Sequence, residues 1–243
     1  MNRLILALVI LAVLLPKAGS AATNDFFAAG VTSYREGHFP EAAGAFETSI
    51  KASPSVGALV NLGNTEWQRG HAGPAILAWE RARWITPFDR RANDNLAFAR
   101  LVAQVDEPQL KWFEIPSTWL PPNTWVWLAG ISLWLAVGAV TLPGLFRRKI
   151  SGGQQTLAAV ALGAFLFCMT ANVGVVSRTH IGFVLKKETP LLLTPTHDAE
   201  MVTTLNSGEP VRELRQHGDY WLIQTADGTG WIERRNVGFV SWP

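Results

Sequence analysis

Trp125–Leu142, WVWLAGISLWLAVGAVTL, and Thr156–Val176, TLAAVALGAFLFCMTANVGVV, are two apolar runs parted by a short connection that carries Arg147, Arg148 and Lys149. At about 1.5 Å per residue, each approaches the roughly 20 residues a helix needs to cross a hydrocarbon core. Neither run contains Asp, Glu, Lys, Arg or His, and no acidic residue lies between them. Lys and Arg accumulate on the cytoplasmic side of a membrane, so the connection is expected inside and both outer ends of the hairpin on the opposite face. Without an ionisable group in the spans an ion pathway is not expected, and Ser132, Thr141, Cys168, Thr170 and Asn172 are read as bonding to backbone or to the partner helix. Gly130 with Gly138 and Ala159 with Gly163 stand at spacings that would let the two helices approach closely.

Working outward, Leu4–Leu15 is a third apolar stretch, too short to span comfortably. It follows Arg3 and leads to Ala18-Gly19-Ser20-Ala21-Ala22, the layout of a secretory signal over residues 1–22, with cleavage after Ser20 or Ala22. Lys17 is irregular in that region and leaves an uncleaved anchor as the alternative. Either way the next segment is exported. Hydrophobic residues make up 48% of the 243 and charged residues 16%, enough for two small modules plus membrane helices but not for a large enzyme core. A net charge of +2 gives no footprint for nucleic acid. The lone Cys168 excludes an intramolecular disulfide and a thiolate metal site.

Residues 23–104 repeat. Gly30, Gly37, Ala42, Phe46 and Pro54 recur thirty-three residues later as Gly63, Gly70, Ala75, Trp79 and Pro87, with Trp67 at the place of Tyr34. Small residues where two helices cross, an aromatic beside them, a glycine at the turn and a proline past the second helix are what paired helices require. Pro40 and Pro74 are tolerable only in the first turn of the second helix of each pair. After Pro87, Asp89 is expected to cap a further helix through Ala92, Leu96, Ala97, Ala99 and Leu101 that covers the open end of the stack.

The series Gly-x3-Tyr-x2-Gly-x-Phe-x2-Ala-x3-Phe-x7-Pro from Gly30 to Pro54 resembles the tetratricopeptide repeat. The resemblance implies an α-solenoid that binds peptides along the face made by the first helix of each pair. Phe27, Val31, Tyr34 and Arg35 from one repeat and Val60, Asn64, Trp67 and Gln68 from the next would line that face, Asn64 holding a peptide's backbone or carboxylate. Tyr34 and Trp67 have a plainer reading as packing residues between helices. Arg81, Arg83, Arg90, Arg91 and Arg100 form either a basic end for an acidic partner or a solvated helical surface.

Residues 105–123 hold Pro108, Pro116, Pro121 and Pro122 among Trp112, Phe113 and Trp119, and read as a linker at the membrane–water boundary. The spans follow as residues 124–145 and 156–177, with a cytoplasmic loop at 146–155 and a short linker at 178–185. Residues 186–243 turn to short alternating runs: Pro190–Leu193, Met201–Leu205, Val211–Leu214, Tyr220–Gln224 and Gly230–Glu233, divided by glycine-bearing turns. Five strands in so short a stretch imply a small all-β barrel. Gly218-Asp219-Tyr220-Trp221 and Asp227-Gly228-Thr229-Gly230-Trp231-Ile232 resemble the bacterial SH3-like domain. As a ligand face the resemblance implies Asp219, Tyr220, Trp221 and Trp231, although one aromatic of such a pair is expected to fill the interior.

Taken together, the order of parts in this multidomain membrane protein resembles the BatE type of the Bacteroides aerotolerance cluster. That resemblance implies a bacterial inner-membrane protein with both soluble domains on the periplasmic side. It also implies a scaffold in an envelope complex with von Willebrand A-domain membrane proteins and a MoxR-type ATPase. The alternative is a wall protein whose SH3-like domain binds peptidoglycan. Catalysis is not expected. His38 and His71 occupy equivalent turn positions, no nucleophile elbow, phosphate loop or His-Glu-x2-His is present, and no cofactor is implied.

Overall fold

Gly30 and Gly63 lack side chains because an aromatic ring occupies the space. A Cβ on Gly30 would lie 2.7 Å from the Phe46 ring, and one on Gly63 would run into the Trp79 indole. The computed structural model describes residues 20–147, 149–226 and 228–241, with side chains from residue 25 onward. In it these two contacts lock two helical hairpins, α1 Ser20–Arg35 with α2 Phe39–Ala52, and α3 Val56–Gln68 with α4 Ala72–Ile85. The turns between them rest on Gly37 and Gly70, at φ of +80° and +78°, a region that costs other residues strain. His38 and His71 precede α2 and α4, and His71 Nδ1 sits 2.7 Å from Glu66 Oε2. Pro40 and Pro74 both fall in first turns, where no intrahelical donor is lost.

Asp89 caps α5, Arg90–Ala103, by accepting the Ala92 N–H at 3.0 Å. Its outer face is not the polar one a closing helix requires. Phe98, Leu101 and Val102 stand in solvent, Leu101 at 80% exposure. The export signal expected over residues 1–22 lies almost wholly outside the described residues.

The apolar runs form α6, Pro122–Leu145, and α7, Gly152–Arg178, both long and apolar enough to cross a membrane. The second helix starts earlier than its apolar run. Ser151 accepts the Gln154 N–H at 3.3 Å while the Gln154 side chain accepts the Ser151 N–H at 2.9 Å, and this capping box shortens the expected loop. The helices meet through Trp125, Ala129, Cys168 and Ala171. Gly130 and Gly163 do not serve the crossing as expected, because a Cβ on either would meet open space, and one on Gly138 would touch only its own helix at Leu142.

Seven antiparallel strands follow: β1 Ile181–Val184, β2 Thr189–Leu192, β3 Met201–Leu205, β4 Pro210–His217, β5 Tyr220–Gln224, β6 Thr229–Glu233 and β7 Val237–Phe239. Their order is β3-β2-β6-β5-β4-β1-β7, consistent with an SH3-like domain. Two of them lie outside the five expected, and β1 occupies the stretch 178–185 read as a linker. All four β1 residues are buried. Val184 joins the core of the sheet with Leu191, Leu205, Val211, Ile223, Ile232 and Val237, whereas Ile181 and Phe183 pack on Ile76, Leu77, Trp79 and Leu96 of the helical hairpins. A strand covered on both faces loses its alternation of apolar and polar residues, so the sequence pattern does not mark it as a strand.

Helices and sheet thus share a core. Gly73 N donates to Ser207 Oγ at 2.8 Å, and a Cβ at Gly73 would strike the Val184 carbonyl. The Arg81 guanidinium donates to the Phe239 carbonyl at 2.8 and 3.0 Å. Each fully covered side chain in this seam contributes about 1.5–3 kcal/mol, so several together hold the two bodies as one.

Candidate functional site

The start of α6 and the end of α7 emerge beside each other, under the seam of helices and sheet. Glu114, from the segment ahead of α6, is fully buried there. Arg212 of β4 grips it with both prongs of its guanidinium, Ser177 of α7 donates its hydroxyl, and the Lys111 N–H donates at 2.8 Å. Burial alone would raise the Glu114 carboxyl, but these hydrogen bonds and the Arg212 charge outweigh it and hold the carboxyl below its ordinary value. Arg178 donates to the Ser117 carbonyl at 3.1 Å and lies 4.9 Å over the Trp84 ring. The segment expected as a boundary linker is therefore in part a clamp. Val105 and Glu114 are buried while Trp112 is 77% exposed and Trp119 half-exposed.

Of the expected helical face, Arg35 and Gln68 are exposed and available to a partner. The aromatics are committed inward. Phe27 packs its ring 5.9 Å from Phe46, Tyr34 sets its ring 5.5 Å from Phe39, and Trp67 lies 5.9 Å from Trp79 and 5.7 Å from Phe98. Asn64 does not present its oxygen to solvent, because Oδ1 accepts from Asn95 Nδ2 at 2.7 Å and from Trp79 Nε1 at 3.2 Å. Its plain role is to fasten α5 to α3. The exposed Phe98 beside Trp67 forms an apolar patch on α5 that the expected face does not include. The five arginines likewise make no common basic end. Arg81 binds the sheet, Arg83 and Arg100 bind Glu80, and Arg90 and Arg91 face Asp94 and Asp89.

On the sheet, the expected ligand residues divide by strand alternation. Trp221 points to the same side as the buried Ile223, setting its ring edge-on to Phe239 at 5.4 Å with the Arg234 guanidinium stacked 5.0 Å away. Tyr220 and Trp231 lie on the other side, where Leu222 pairs with Trp231 and the His217 ring meets Trp231 at 6.1 Å. Asp219 is exposed at the β4–β5 turn and its carbonyl accepts the Arg234 N–H. The outer cluster is thus Tyr220, Trp231, Leu222 and His217, with Trp221 belonging to the core edge.

Two hollows lie at the seam. One of about 270 Å³ includes Glu80, Arg83, Trp84, Thr118 and Arg178 in its wall. The other, of about 430 Å³, runs between residues 104–111 and the sheet around Asn206, Glu209 and Gln224.

Residues 193–238 match the bacterial SH3 domain family. The match begins after β1 and β2, so the folded sheet extends beyond it on the N-terminal side. No curated protein matches the chain.

Proposed function

We propose that this chain is a non-catalytic, membrane-anchored adaptor whose helical hairpins and sheet form one extracytoplasmic body that recruits protein partners in an envelope complex. The observation that carries the reading is the shared core of helices and sheet, together with the Glu114 clamp at the open end of the α6–α7 hairpin. Two bodies that share a core occupy one compartment, and the basic residues Arg147 and Lys149 at the far turn favour the cytoplasm for the other end. The Gly30–Phe46 and Gly63–Trp79 contacts support a tetratricopeptide-type stack, and the order of parts supports the BatE-like reading with von Willebrand A-domain proteins and a MoxR-type ATPase as partners. Photo-crosslinkers at Arg35 and Gln68 in intact membranes should capture a membrane protein that one at Glu47, on the second helix of the first hairpin, does not. Equal capture from all three positions would remove the face from the reading.

A second reading, recognition of peptidoglycan by the sheet, is favoured by the bacterial SH3 match and the outer aromatic cluster. Retention of the detergent-solubilised full chain on purified sacculi, lost with Trp231→Ala, is its test. Retention unaffected by that change would leave the cluster without a wall ligand.

A further inference from the structure

The wall of the smaller hollow sets Arg83 and Arg178 against Glu80 and Glu107. Glu80, 4% exposed, accepts from Arg83 at 2.9 Å and also pairs with the buried Arg100. Arg100 shares its other prong with Glu107, which is largely solvated. Arg178 has no carboxylate within ion-pair distance among the described residues. Its partners are the Ser117 carbonyl, the Ser117 hydroxyl at 3.2 Å and the face of Trp84. Arg83 and Arg100 take up Glu80 and Glu107, whereas Glu80 and Glu114 act on Arg178 only from beyond ion-pair distance. Of the two guanidiniums in the wall, Arg178 is thus the one without a paired carboxylate among the described residues, and a charge drawn from water is ordinarily paired.

Position decides which anion fits. Arg178 is the last residue of α7, and Thr118, which also lines the hollow, stands just ahead of α6. If these helices cross a bilayer, the hollow opens at headgroup depth, where an arginine at a span's end carries its charge to the interface. The fork of a guanidinium matches the paired oxygens of a phosphate, and a volume of about 270 Å³ admits a headgroup while excluding an acyl chain pair.

We propose that this hollow binds a phosphate group, held by Arg178 and Arg83 against Trp84, and that the headgroup of an anionic phospholipid supplies it. The inference rests on the membrane reading above, and the experiment separates the two. Wild-type protein that washes out of membranes with carbonate removes the membrane reading. Protein that stays inserted but holds phosphatidylglycerol no better than phosphatidylcholine, and does not bind inorganic phosphate through these arginines, overturns the hollow alone.

The full chain in detergent is presented with phosphatidylglycerol, phosphatidylcholine or inorganic phosphate, and binding is read by native mass spectrometry and by phosphorus resonance. Retention of phosphatidylglycerol should weaken about tenfold in Arg178→Gln and in Arg83→Gln, the loss of one charge-assisted contact, and not in the exposed Arg90→Gln. Arg178→Lys keeps the charge without the fork and serves as the control for folding, and its retention should fall between wild type and Arg178→Gln. Inorganic phosphate bound in the same arginine-dependent manner, without lipid retention, upholds the phosphate site and assigns it a soluble source. Binding of either probe that is indifferent to all these changes overturns the proposal.

Discussion

Arg212 and Glu114, 98 residues apart, meet as a two-pronged ion pair with Nη1–Oε1 at 2.8 Å and Nη2–Oε2 at 2.9 Å. One belongs to a strand and the other to the segment entering the first apolar helix, so the pair joins the folded body to the hairpin beneath it. Desolvating both groups is costly, and breaking a buried pair from one side exposes that cost in full. Arg212→Met is therefore expected to destabilise the full chain by about 3–5 kcal/mol, with Glu114→Leu/Arg212→Met recovering part of the loss. Urea unfolding in detergent, followed by tryptophan emission, measures both; equal destabilisation in the single and double variants would argue against the pairing as the cause.

The same carboxyl sets a direction for pH. Its folded-state value lies below the ordinary one, so the stability it contributes is complete above the ordinary carboxylate range and is lost as pH falls through the lower folded value. Hydrogen-exchange protection in residues 109–117, taken relative to the intrinsic rate at each pH, should fall on acidification below that range. In Glu114→Gln the protection should start low and change less with pH. A wild-type profile flat down to strongly acidic pH would contradict the assignment.

Glycines in the helical body fall into two classes with opposite expected signs. Gly63→Ala drives a methyl into the Trp79 ring, an overpacking worth about 1–3 kcal/mol of destabilisation. Gly44, mid-helix in α2, has nothing within 4 Å of a built Cβ, and Gly44→Ala should stabilise by about 0.5–1 kcal/mol through helix propensity. Thermal unfolding of the two variants side by side decides the matter, and a loss at both positions would contradict the packing.

The β1 strand makes its own prediction. A fragment that starts at Lys186 lacks Val184 and the backbone partners of β4 and β7, whereas one that starts at Thr179 retains them. The longer fragment should give strand-type circular dichroism and a cooperative transition, and the shorter one should not. The longer one also exposes Ile181 and Phe183, whose packing partners stay behind on the helices, so it should self-associate unless Phe183 is made polar.

What could be read beforehand follows the range of the interactions. The apolar helices, the glycine–aromatic crossings and the Asp89 cap are local patterns, and each lies close to where the residues alone put it. The Ser151–Gln154 box is equally local, but it lies ahead of the apolar run and leaves no mark in hydropathy. Glu114 and Arg212 carry no mutual signal across so long a separation. Asn64 looked like a peptide-binding amide because its neighbours Trp79 and Asn95 converge on it only after two hairpins and a third helix have packed. For the sheet, alternation was enough to split Trp221 from Tyr220 once Ile223 is taken as core, a step that needed the register and not only the motif.

That split determines how a ligand on the sheet should be sought. Trp221→Ala removes a ring packed on Phe239 beside the sheet's core, so its main effect should be on stability, about 3 kcal/mol or somewhat less for a half-buried indole. Trp231→Ala and Tyr220→Ala alter the outer cluster, touching the His217 ring and Leu222 but not Ile223 or Ile232. These two should leave the unfolding midpoint nearly unchanged while reducing retention on sacculi or recovery of a crosslinked partner. Loss of binding in Trp221→Ala alone, at unchanged stability, would move the ligand to the opposite side of the sheet.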